Sequence, residues 1–269
     1  MLRVEEDAYW FSLADSDILF WAHGLAANSD YDVEISEPDV SPLQLQGPKS
    51  RDIMIKIFGD EILDLKYYWF KKFIHNGVEL IISRTGWSSE LGYEIFLTDS
   101  AHGNDLYNTI MDIGYPMGLK PGHTSTIRRI EGGMLSYHAD MTINTNPLEL
   151  GMDKFINLDQ DFDFIGKEAL INISNSGLSR KQVGIIIEDN PMPGPNTRFW
   201  DVIKNSTVIG KVTSAVFSPR LKQNIGLALV DIKYSNIGEE VQINNGTKIL
   251  DCKIVKKPFY DPNKSLTKS

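Results

Sequence analysis

Apolar positions fall in separated blocks along the chain, some alternating with polar residues and some recurring every three to four. Residues 78–83 (VELIIS) are mostly apolar and partly β-branched, which predicts a buried strand; residues 93–97 (YEIFL) predict a second. Asn76-Gly77 is a two-residue hairpin turn leading into the first of these from residues 70–73. Upstream, residues 1–4 predict a strand, Glu5, Glu6 and Asp7 a turn, and residues 9–13 (YWFSL) a returning strand. Residues 14–17 (ADSD) suit a helix N-cap with acids on the first turn. Ile18, Leu19, Trp21, Ala22 and Leu25 then give a helical apolar face, and residues 31–35 (YDVEI) alternate like a half-buried strand. Residues 52–58 predict a short amphipathic helix, and residues 101–113 another with Leu106, Ile110 and Ile113 inward, ended by Gly114-Tyr115-Pro116.

The period changes after a polar stretch at residues 174–179 (SNSGLS). Short apolar strands follow at 183–187, 201–204, 210–214, 225–230, 241–243 and 249–255, separated by turn residues, which predicts a small β-barrel or sandwich. The division predicted is an α+β domain over residues 1–178 and a β-rich domain over 179–269, with a tail that frays after Pro262.

Charge and composition narrow the function classes. With 269 residues the chain can bury one large or two ordinary cores. A net charge of -9 argues against a nucleic-acid backbone as partner. One cysteine, Cys252, excludes an internal disulfide and a cysteine metal cluster, and the five histidines show no spacing that suits zinc. No apolar run approaches the ~20 residues that span a bilayer, and Glu5, Glu6 and Asp7 sit where a signal peptide would be apolar. The expectation is a soluble protein of a reducing, cytoplasmic compartment, without metal, membrane or nucleic acid.

The candidate chemistry lies between the strands at 78–83 and 93–97. That Gly-bounded loop brings one carboxylate, Glu90, close to Trp87 and Tyr93. An acid among aromatic rings could hold a flat heterocycle, the rings stacking and the carboxylate accepting ring N–H donors. By spacing alone the loop reads more readily as an ordinary hairpin with a solvated glutamate, since exposed loop carboxylates are common.

Residues 85–94 (TGWSSELGYE) resemble the T-G-Y-T-G-E-x-G-Y-E signature of the glycine-cleavage T-protein (aminomethyltransferase) superfamily, with Trp87 in place of the first Tyr. Further elements follow in the family's order. Residues 41–50 (SPLQLQGPKS) resemble x-A-x-Q-G-P-x-S, a strand running into a helix, where Gln46 suits a structural role. Residues 126–137 resemble the helix A-R-D-x-L-R-x-E-A-G-x-x-x-Y, matching at Arg129, Glu131, Gly133 and Tyr137. Residues 144–152, 163–170 (DFIGKEAL) and 213–228 resemble its later loops and linker. The resemblance implies a T-protein-like α/β sandwich domain that binds folate, followed by a C-terminal β-barrel.

It also implies site residues. Glu90 would hold the pterin of tetrahydrofolate, with Trp87, Tyr93, Arg129 and Tyr137 as further cofactor-binding candidates, although each ring equally suits a core and Arg129 with Glu131 equally suits a structural pair. The family's first helix arginine falls on Ser125, a departure that weighs against ordinary aminomethyl transfer. Family members carry a longer N-terminal segment holding the aspartate that works near folate N5. The chain is therefore expected to begin inside its first domain or at an internal Met, with the catalytic group unassigned and neither Asp15 nor Asp17 standing in for it. Residues 12–21, 37–43 and 129–137 look most like the demethylase branch, which moves a methyl group from dimethylsulfoniopropionate to tetrahydrofolate. Aminomethyl transfer in glycine cleavage, a non-catalytic folate-binding module and an inactive fragment stay open. The expected partners are folate and a small-molecule methyl donor, with a homodimer open.

Overall fold

The structure, a computed structural model, describes residues 1–13 and 17–269. These fall into two compact units. The first holds Met1–Gly86, Glu90–His123 and Lys264–Ser269, the second Trp87–Ser89 and Thr124–Asn263. The expected boundary at residue 178 lies inside the second unit.

The first unit opens with a two-stranded hairpin, β1 (Leu2–Arg3) and β2 (Tyr9–Trp10), then helix α1 (Leu19–Ala26). The cap expected at residues 14–17 lies outside the described residues except for Asp17, whose Oδ1 accepts from Leu19 N at 2.9 Å. The apolar face expected on α1 is not buried: Phe20 and Trp21 are exposed and no residue of the helix is buried. Residues 31–35 do not form a strand. Tyr31 and Val33 are exposed, so their alternation meets no core to bury against.

Next come β3 (Ser41–Gln46), α2 (Ser50–Phe58), β4 (Phe70–His75), β5 (Val78–Ser83), β6 (Gly92–Leu97) and α3 (Gly103–Gly114). The four strands make an antiparallel sheet in the order β3-β6-β5-β4. The β4–β5 turn is the Asn76-Gly77 pair, both at positive φ (48° and 85°), as a type I′ turn requires. Period-two alternation sends Leu80, Ile82, Tyr93, Ile95 and Leu97 to one face, where Ile53 and Met54 of α2 and Leu106 and Ile110 of α3 cover them. Ile81 and Phe96 face the other side and are also buried, and Trp10 of β2 meets Phe96 edge-on at 6.5 Å.

The second unit contains α4 (Thr126–Glu131), α5 (Lys167–Ser176) and strands β7 (Arg180–Ile187), β8 (Trp200–Lys204), β9 (Thr207–Ser218), β10 (Gln223–Asp231), β11 (Glu240–Asn244) and β12 (Ile249–Val255). They close into a six-stranded barrel in the order β10-β7-β12-β11-β8-β9, all neighbours antiparallel. Val183, Ile185, Val202, Val212, Val230, Ile243 and Ile254 belong to one buried cluster of the barrel. Ile130 of α4 packs in a separate cluster with Val216, Ile225 and Leu227. The helix suggested for residues 126–137 stops at Glu131, because Gly132 and Gly133 follow and Gly133 takes φ 64°.

The tail does not fray. It returns to the first unit, where α6 (Ser265–Lys268) forms and Thr267 is buried. Among the described residues no helix is long and apolar enough to cross a membrane.

Candidate functional site

In the first unit, the loop after β5 is built around Gln46, the last residue of β3. Its Nε2 donates to the main-chain oxygens of Thr85 and Tyr93, both at 3.3 Å. The side chain lies so close to Gly86 and Gly92 that a Cβ on either would come within 2.2 and 2.3 Å of its atoms. The two glycines are there for space: they admit the amide that ties both ends of the loop to β3. Leu91 is held in turn, its oxygen accepting from Gly47 N at 2.8 Å and Ser50 Oγ at 3.2 Å. Glu90 is half-buried between these fixed points.

Beside the loop a polar relay runs along the sheet. Ser83 Oγ and Thr85 Oγ1 are 2.5 Å apart, Thr85 Oγ1 donates to Glu94 Oε2, and Gln44 Nε2 donates to Glu94 Oε1 at 2.9 Å. Tyr93 turns the other way. It is 1% exposed among Leu45, Ile95 and Leu106, so its ring is part of the core.

In the second unit Trp87 and Arg129 come together, the guanidinium carbon 5.7 Å from the ring centre, within cation–π range. Arg129 is buried. Its Nη1 donates to Asp140 Oδ2 at 2.7 Å and its Nη2 to Ser214 Oγ at 2.8 Å. Asp140 also accepts from Thr213 Oγ1 at 2.6 Å, Ser214 Oγ at 2.7 Å and Ser136 N at 3.0 Å. These donors hold the carboxylate in place, and through it the guanidinium beneath the indole. Glu131 anchors the other end of α4, accepting from Ser218 Oγ at 2.6 Å and Arg128 Nη1 at 2.8 Å.

Ser125, at the position of the family's first arginine, is the N-cap of α4, its hydroxyl accepting from Arg128 N at 3.3 Å. A Cβ on Gly132 would fall 1.8 Å from Ser89 Oγ, so this glycine admits the segment that carries Trp87. Tyr137 is half-buried, its ring 4.5 Å from that of His138. Thus Trp87 and Arg129 are joined directly, Tyr137 packs on its own neighbour, and Glu90 and Tyr93 belong to the first unit.

The sequence did not single out Asp140, which has no motif spacing to its partners, nor Lys257. Burial lowers the Lys257 amine to about 8 against the pull of Asp140, with Lys181 adding to the shift. Among the described residues no group of three His, Cys, Asp or Glu side chains could hold a metal ion.

Two family models match the chain: the GCVT N-terminal domain over residues 1–160, and the glycine cleavage T-protein C-terminal barrel domain over residues 180–261. The dimethylsulfoniopropionate demethylase DmdA of Ruegeria pomeroyi is 36% identical over 249 residues, covering 92% of this chain and 67% of that protein. An aminomethyltransferase of Thermoanaerobacter pseudethanolicus is 36% identical over 239 residues, 87% of this chain and 63% of its own length. The chain therefore spans about two thirds of the curated relatives it matches. A crystal structure of the glycine cleavage system aminomethyltransferase T from Bartonella henselae superposes with a TM-score of 0.75 at 19% identity, over 89% of this chain and 65% of that one, a likeness of fold. With both family models matched in chain order, and the sheet and closed barrel in those places, the chain belongs to the glycine cleavage T-protein family.

Proposed function

We propose that this chain carries the folate-binding machinery of a tetrahydrofolate-dependent one-carbon transferase, and that the group moved is the methyl of dimethylsulfoniopropionate. The observation that carries the reading is the Gln46-clamped loop, which holds Glu90 between fixed points at Gly86 and Gly92. A half-buried carboxylate held this way suits the amino and ring N–H donors of a pterin. Trp87, Arg129 and Tyr137 remain assigned to folate contacts by resemblance, and Tyr93 serves from within the core. Similarity to the demethylase DmdA, and a serine used as helix cap where aminomethyltransferases carry an arginine, favour the methyl donor. Aminomethyl transfer is the second reading, favoured by relatives of that name at equal identity.

In the methyl reading the bond from methyl carbon to sulfur breaks as the bond from carbon to folate N5 forms. The sulfur leaves as a neutral thioether and N5 releases its proton. The sulfonium already carries the activating charge, so alignment and exclusion of water are what the protein must supply. Arg129 lies over one face of Trp87, and an aromatic face of this kind is the surface a cationic donor prefers. The single buried cysteine suits a reducing, cytoplasmic setting, and a homodimer is the assembly to test.

Calorimetric titration of tetrahydrofolate tests the reading. Glu90→Ala should weaken binding by roughly 2–4 kcal/mol, the range for leaving buried donors without an acceptor, and Glu90→Gln by less. Unchanged affinity in Glu90→Ala with the fold intact would remove it. Turnover assays with dimethylsulfoniopropionate, dimethylglycine and glycine-cleavage intermediates separate the two donors, and folate binding without any turnover would leave a binding module.

A further inference from the structure

Arg84, the residue between β5 and the clamped loop, is held by the last part of the sequence. Its side chain is 7% exposed, yet among the described residues no Asp or Glu side chain contacts it. Nη1 donates to Leu65 O at 3.3 Å, Nη2 donates to Thr267 O at 3.1 Å and to Ser269 O, and Nε has no partner among the described residues. Arg51 donates to the same Ser269 oxygen, so two like charges share one acceptor.

Segment 264–269 takes a second grip on the same place. Lys264 Nζ donates to Tyr67 Oη at 3.4 Å and lies 5.8 and 6.0 Å from the ring centres of Tyr67 and Tyr68. Tyr68 N donates to Arg84 O at 3.1 Å, and Arg84 N donates to Trp69 O at 2.9 Å. One short segment therefore contacts both the side chain of Arg84 and the ring of Tyr68, whose N–H donates to Arg84 O.

We infer that Arg84 is a positioning residue for the loop that carries Glu90, and that segment 264–269 is the strap that keeps it in place. Without the strap, Nη2 loses both its acceptors while still buried. A buried cation without acceptors is costly, so the guanidinium turns toward water. Its backbone moves with it, and the next residue is Thr85, whose oxygen and hydroxyl fix the start of the loop through Gln46 and Glu94. Burial, with Arg51 adding, lowers the Arg84 pKa against the opposing effect of Tyr93, and this adds to the tendency of an unpartnered guanidinium to turn outward. Only the ligand arm of the test below rests on the folate reading.

The test displaces the strap without touching the loop. One variant is Thr267→Pro, which breaks the turn of α6 by forcing the preceding residue out of helical geometry; the other lacks residues 264–269. Hydrogen exchange at residues 84–86 and 90–92 should quicken at least tenfold in both, with the strands of the barrel unchanged. The peptide KSLTKS supplied in trans should restore protection to the deletion variant. Tetrahydrofolate should bind about tenfold more weakly to both variants, and the peptide should restore that too. Exchange unchanged with the strap displaced would overturn the inference, as would faster exchange with unaltered folate affinity. If the unmodified chain binds no tetrahydrofolate, the folate reading fails and exchange with peptide rescue alone decides the role of Arg84.

Discussion

Arg129 and Asp140 form a buried ion pair, Nη1 to Oδ2 at 2.7 Å, with side-chain exposures of 8% and 0%. Asp140 gathers three further donors from Ser136, Thr213 and Ser214, so the pair joins α4 to β9. Arg129→Met should destabilise the chain by roughly 3–5 kcal/mol, because it strands a buried carboxylate. Replacing both residues by apolar ones should cost less than the sum of the single changes. Urea unfolding of both single variants and the double variant decides it, and additive losses would mean that the pair is not coupled.

The Gln46 clamp predicts a second coupling. Gly92→Ala drives a methyl into the Gln46 amide and should cost about 1–3 kcal/mol, the usual range for overpacking. With Gln46→Ala in place, that space is free and the added methyl should cost much less. Chemical denaturation of the four-member cycle reads the difference; an equal penalty in both backgrounds would show that the loop does not depend on this contact.

Cys252 lies in β12, buried, with its thiol pushed up to about 12 by burial and by Glu188. Thiolate is the reactive form, so labelling by a thiol reagent at neutral pH should be orders of magnitude slower than for an exposed cysteine, and should become fast in urea. Rapid labelling of the folded chain would mean that β12 opens readily.

Lys257 gives a signed pH dependence. Between about 8 and its ordinary value of 10.5, the unfolded chain holds a proton that the folded chain has released. Stability from this group therefore rises with pH across that window, and below it the burial penalty is fully felt. Lys257→Met should flatten the rise, measured as the difference in unfolding free energy between variant and parent at the two ends of the window. Parallel slopes would contradict it.

The elements that the sequence disclosed are those whose pattern meets a core. The strands expected at 78–83 and 93–97, the helix expected at 101–113 (found at 103–114) and the barrel strands emerged because their period sets a continuous buried face. The alternation of residues 31–35 misled because it faces no second layer. The tail was illegible for a related reason: its acceptors are main-chain oxygens, and neither Thr267 nor Ser269 announces a contact with Arg84 about 180 positions away. Glu90 is a candidate through its motif alone, whereas the Asp140 network is visible only in three dimensions, since Arg129, Thr213 and Ser214 converge on it from separate segments.

The barrel closes through β7 and β12, with Ile187 opposite Cys252 and Gly184 opposite Val255. A polypeptide made from its N-terminus cannot finish this ring until its last strand has left the ribosome. Until then β7 presents an open edge on the side that β12 will cover, an invitation to pair with another nascent chain. A pairing so distant in sequence is also a slow one to find. The first unit meanwhile awaits segment 264–269, which is translated later still. Both units therefore stay incomplete until the segments at 249–255 and 264–269 have been made, and a chain in that state is the one most exposed to misassembly.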